Sequence, residues 1–84
     1  MDDKDLKILE AINNLSPTSF VGPIKVNESL GMDKMALGDR LILLNKSGHI
    51  ELMTSEYVSS ATLPNFISRI RLTELGRRSL TDRR

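Results

Sequence analysis

With 84 residues the chain has room for one modest hydrophobic core and is expected to form a single domain over residues 1–84. It contains no cysteine, which excludes a disulfide framework and a thiolate metal site. No run reaches the roughly 20 apolar residues of a membrane span and the first residues are acidic, unlike a signal peptide, so a cytoplasmic protein with no membrane partner is expected.

The net charge of +1 hides a lopsided distribution. Asp2, Asp3 and Asp5 lead the chain, whereas Arg69, Arg71, Arg77, Arg78, Arg83 and Arg84 crowd its last segment. Residues 2–15 predict a first helix: Leu6, Leu9, Ile12 and Leu15 recur on one face with Ile8 beside it, and the early aspartates suit the positive end of the helix dipole. That placement makes them structural rather than catalytic. Ser16, Pro17, Thr18 and Ser19 compose a turn, and Phe20-Val21 has room only for a very short strand.

Pro23 fits the first turn of a second helix, because its missing N–H would be unpaired there anyway, and Ile24, Val26 and Leu30 supply an apolar stripe that stops at Gly31. Asp33 is the N-cap expected for a third helix, in which Leu37, Leu41 and Leu44 face inward and Gly48 closes the run. Two helices joined by so tight a turn form a helix-turn-helix.

After Gly48 the period changes from helical to alternating. Strands are expected over residues 49–56 and 66–73, with residues 57–65 as a loop at the tip of the hairpin. If Ile50 and Leu52 face the core, Ile70 and Leu72 are their partners, and Glu51, Met53, Arg69 and Arg71 share the outer face, where Glu51 can neutralise Arg71. Thr73 then caps a last helix containing Leu75 and Leu80, with Glu74 in its first turn. The expected fold class is α+β: a winged helix-turn-helix with a three-helix core, a β-hairpin wing and a short C-terminal helix.

Leu41, Leu44, Gly48, His49 and Ile50 at the exit of the third helix, and Leu72-Thr73-Glu74-Leu75-Gly76 at the strand-to-helix junction, carry a family likeness. With them the chain resembles the winged helix-turn-helix superfamily, particularly the small MarR-like and PadR-like regulators and their archaeal relatives. The resemblance implies a DNA-binding protein acting as a transcriptional regulator, which lays its third helix in the major groove of double-stranded DNA and places its wing near a flanking phosphate backbone or minor groove. Winged helices also serve as protein-binding modules, so a protein–protein interaction module in a larger assembly is the alternative.

With Leu37, Leu41 and Leu44 inward, helical geometry turns Met35, Ala36, Asp39, Leu43 and Lys46 outward and leaves Ile42 at the margin, open to packing or contact. The expected DNA-binding residues are Lys34, Met35, Asp39, Arg40 and Lys46 on this helix and Arg69 and Arg71 beside the wing. Lys34, Arg40, Lys46 and the two wing arginines suit phosphates; Met35 suits a thymine methyl, and Asp39 a cytosine amino group. The same apolar residues with Asp39 suit a protein partner. Gly38, in mid-helix, permits close approach of another element or of a DNA backbone. Arg77 and Arg78 are expected to complement a helix dipole, and Arg83 and Arg84 to add nonspecific attraction.

His49 is the single histidine, and the glycines are too scattered for a phosphate loop, so no enzyme activity, metal or cofactor is expected. A homodimer is expected to pack the first helix, through Ile8, with the last, through Leu80; the alternative is a monomer.

Overall fold

The computed structural model describes residues 2–57 and 62–82. Its elements are α1 (Asp3–Leu15), α2 (Pro23–Leu30), α3 (Lys34–Lys46), β1 (Ile50–Thr54), β2 (Ile67–Leu72) and α4 (Glu74–Asp82). The helix starts follow the local chemistry. Asp2 accepts from the Lys4 N–H at 3.1 Å and Asp33 from the Ala36 N–H at 3.1 Å, each carboxylate satisfying a donor that has no partner within its helix. Pro23 opens α2, and Gly31 ends it in the left-handed conformation at φ 63°.

α3 ends at Lys46, with Ser47 as its C-cap, one residue before the expected glycine. Gly48, at φ 85°, then turns the chain into β1. β1 and β2 pair antiparallel, with Ile50 opposite Leu72, Glu51 opposite Arg71, Leu52 opposite Ile70 and Met53 opposite Arg69. This is the register that the alternation implies, although both strands are shorter than expected. Val21 adds a third strand one residue long: its N–H donates to the Ile70 carbonyl at 2.8 Å and its carbonyl accepts from the Ile70 N–H at 2.9 Å.

The core joins Ile8, Leu9 and Ile12 of α1, Val26 of α2, Leu37, Leu41 and Leu44 of α3, and Ile50, Ile67, Ile70 and Leu72 of the sheet. Here α1 departs from expectation. Its buried face is Ile8, Leu9, Ala11 and Ile12, while Leu15 is exposed. The helix is packed against α2, α4 and β2, so its covered arc is wider than one stripe and is rotated to include Ile8.

The expected hairpin tip is also corrected within the residues described, residues 58–61 lying outside them. Leu63 is fully buried in the core. It pairs with Ile67 across a tight turn, its N–H donating to the Ile67 carbonyl at 3.0 Å while the Phe66 N–H donates to the Leu63 carbonyl at 2.9 Å. Pro64 supplies the preset φ for the turn, and Phe66 takes the left-handed position at φ 70° that glycine usually fills. The second half of the loop therefore folds back under the wing.

α4 is seated on the corner between α3 and β1. The Thr73 hydroxyl donates to the Gly48 carbonyl at 2.6 Å and accepts from the Gly76 N–H at 3.1 Å, and the Thr73 N–H donates to the His49 carbonyl at 3.1 Å. A Cβ on Gly76 would strike that same carbonyl oxygen, which explains the glycine.

Candidate nucleic-acid interface

The pose of α3 is set at both ends. At its start, Asn27 of α2 spans the helix-turn-helix corner: its Nδ2 donates to the Met32 carbonyl at 2.8 Å and its Oδ1 accepts from the Met32 N–H at 2.9 Å. At its end, Asn45 Nδ2 donates to the Ile50 carbonyl at 3.0 Å, tying the last turn of α3 to the first residue of the wing. Both asparagines pair with backbone five residues on, so helix and wing inherit a fixed geometry from local contacts.

Burial of Leu37, Leu41 and Leu44 leaves Lys34, Met35, Asp39, Leu43 and Lys46 exposed on α3. Met35 is 54% and Leu43 53% exposed, so a row of two apolar residues with Asp39 between them runs along the helix. Ile42 resolves toward packing, half-buried against the core. Lys34 and Lys46 stand at opposite ends of the exposed face.

Arg40 does not join them. Its Nε and Nη2 take both oxygens of Asp5 at 2.9 Å each, and Nη2 also reaches Asp2 at 3.2 Å. This two-pronged grip uses the planar fork of the guanidinium and directs it toward the start of α1. The Asp5 hydrogen bond, with the Asp5 charge second and Asp2 adding a little, raises the arginine above its already high ordinary value against an opposing effect of burial. Arg40, expected to face DNA, instead joins α1 to α3 within the chain, and the acidic start of α1 acquires a partner.

The two wing arginines separate in the same way. Arg71 is ion-paired to Glu51 across the strands and lies over the Phe20 ring, its Cζ 4.6 Å from the centroid. It clasps the base of the wing to the segment before α2. Arg69, opposite Met53, is exposed and has no ion pair among the described residues. Arg77 is likewise occupied, donating to the Pro17 carbonyl at 2.9 Å and, at 3.4 Å, to that of Leu72; it lies near the start of α4 rather than at a helix C-terminus. Arg83 and Arg84 lie outside the described residues.

The structure adds two cations to those expected from the sequence. Lys4 and Lys7 of α1 line a surface cavity of about 380 Å³ together with Leu30, Met32, Asp33 and Ala36, which places them beside the helix-turn-helix corner. Their signal was present as a lysine pair one turn apart, outside the buried arc of α1.

His49 lies at the α3–β1 corner, its Nδ1 2.6 Å from the Ser47 hydroxyl, which itself donates to the Leu44 carbonyl at 3.0 Å. Among the described residues no group of three or more histidines and carboxylates could hold a metal ion, and no helix is long and apolar enough to cross a membrane. The expected dimer surface is altered too: Ile8 is fully buried within its own chain and Leu80 is half-buried against the same core.

No family model matches the sequence, and none of the curated proteins compared with it matches. Among solved structures, the chain is similar to the oxidized form of MarR from E. coli, with a TM-score of 0.67 and 22% identity. The likeness takes in 92% of this chain and 48% of that one, so the protein spans about half the length of its structural neighbour. The shared architecture is that of a winged helix.

Proposed function

We propose that the protein is a DNA-binding winged-helix protein that acts as a transcriptional regulator, with α3 in the major groove and the wing against the flanking backbone. One observation carries the reading. Once Arg40 and Arg71 are assigned to the fold, Lys4, Lys7, Lys34, Lys46 and Arg69, together with Arg78 on α4, have no ion pair among the described residues, and the first five belong to the helix-turn-helix, the start of α1 and the wing. The structural neighbour carries the name of the regulators that the sequence resembles, which supports the same reading. Met35 is offered to a thymine methyl and Asp39 to a cytosine amino group.

Titration of a labelled duplex at several salt concentrations tests it. If all five cations neutralise phosphates, log K falls against log salt with a slope of about −4.5. Absence of binding at low salt overturns the proposal.

A second reading has its own support in the exposed row of Met35, Asp39 and Leu43, whose apolar members suit a protein partner. It expects a partner that is retained on the wild-type protein and lost with Met35→Asp. Retention of every partner by that variant, with DNA binding abolished, removes the interaction reading.

A further inference from the structure

The turn that leads into β2, at the other end of the strand from Arg71, meets α3 at a point where side-chain volume is missing. Gly38 is buried in α3, and the amide of Asn65 lies against it: a Cβ on Gly38 would stand 2.9 Å from Asn65 Cγ and 2.9 Å from Oδ1, and nearer still to Nδ2. Close-packed interiors do not accommodate such an overlap, so any side chain at residue 38 must displace the asparagine. Asn65 itself is placed by the turn at residues 63–67, with Leu63 anchored in the core, Pro64 presetting the bend and Phe66 held in the left-handed region.

Three locally unfavourable choices coincide at this contact. Glycine weakens a helix interior, a bulky residue at positive φ is strained, and Asn65 Oδ1 is buried without a hydrogen-bond partner. None improves its own element. Together they let the turn at residues 63–67 lie directly on the backbone of α3. We infer that Gly38 and Asn65 are positioning residues whose contact sets the spacing between the groove-reading helix and the wing strand that carries Arg69. The inference rests on the DNA-binding reading for its purpose, while the contact itself can be tested without DNA.

The test compares Gly38→Ala, Asn65→Ala and the double variant with the wild-type protein. Hydrogen exchange is followed at the Ser55, Leu63 and Phe66 amides, which hold the turn by donating to the carbonyls of Phe66, Ile67 and Leu63. Binding is followed with a fluorescein-labelled mixed-sequence duplex of about two helical turns. Gly38→Ala should speed exchange at those three amides while α1 stays protected, and should weaken duplex binding roughly tenfold. Adding Asn65→Ala vacates space for the new methyl and should restore binding to within roughly threefold of wild type. Asn65→Ala alone should speed the same exchange, which keeps the test open if Gly38→Ala does not fold. Unchanged exchange in the folded single variants overturns the inference. So does a binding loss in Gly38→Ala that the second substitution leaves untouched, since Gly38 would then meet the duplex directly. If the wild-type protein binds no duplex at low salt, the DNA reading fails, and the exchange measurements alone decide whether this contact sets the wing.

Discussion

Asn27 closes the helix-turn-helix corner by holding both the N–H and the carbonyl of Met32, at 2.9 and 2.8 Å. Replacing it with alanine removes two hydrogen bonds and strands two backbone groups in a half-buried turn. Asn27→Ala should lower unfolding free energy by about 1–3 kcal/mol. The urea midpoint measures this, and an unchanged midpoint would show that water replaces the side chain without loss.

Arg40 and Lys46 share α3 but should answer differently to truncation. Arg40→Ala breaks the grip on Asp5 and Asp2, so it should lower the thermal midpoint and leave the salt slope of duplex binding unchanged. Lys46→Ala should leave the thermal midpoint in place and make that slope shallower by about 0.9. Measuring both quantities for both variants separates a fold contact from a phosphate contact. Because the guanidinium is raised, its charge is lost only in strong base, and the Arg40 contribution persists throughout the neutral range.

The wing offers a parallel contrast. Arg71→Ala forfeits the stack on Phe20 and the exposed pair with Glu51, together worth about 1 kcal/mol. Arg69→Ala should leave chemical stability within about 0.5 kcal/mol of wild type while weakening duplex binding. Equal affinity losses in the two variants, with no stability difference between them, would refute the division of roles.

Ile8→Glu is expected to unfold the chain rather than to divide a dimer. Ile8 is 0% exposed, and a carboxylate there has no partner within the apolar core, at a cost of about 3 kcal/mol or more. Far-ultraviolet circular dichroism across a concentration series checks this. A folded monomeric variant would place Ile8 on a surface after all.

Much of this architecture was legible because its signals are local. Pro23, Gly31, Asp33 and Thr73 mark helix ends through their own backbone chemistry, and the alternation around Ile50 and Leu72 carries the sheet register. The candidate site was less legible. Arg40 meets Asp5 across 35 residues of chain, and Arg71 reaches Phe20 only because Val21 joins the sheet, so neither partner is announced by spacing. Leu63 lies in a stretch of mixed small, apolar and polar residues that shows no period, and the fit of Asn65 on Gly38 exists only once the turn and α3 are brought together.

The bridge between Val21 and Ile70 has a kinetic consequence. It encloses the whole helix-turn-helix, β1 and the first part of β2, so closing it early would restrict a long segment before most of that segment had gained contacts. The helical corner, built from near neighbours, is the natural nucleus, and the Val21 bridge is a late event. Weakening that bridge should accelerate unfolding while leaving the refolding rate nearly unchanged, which would make the short third strand a latch on the lifetime of the native state.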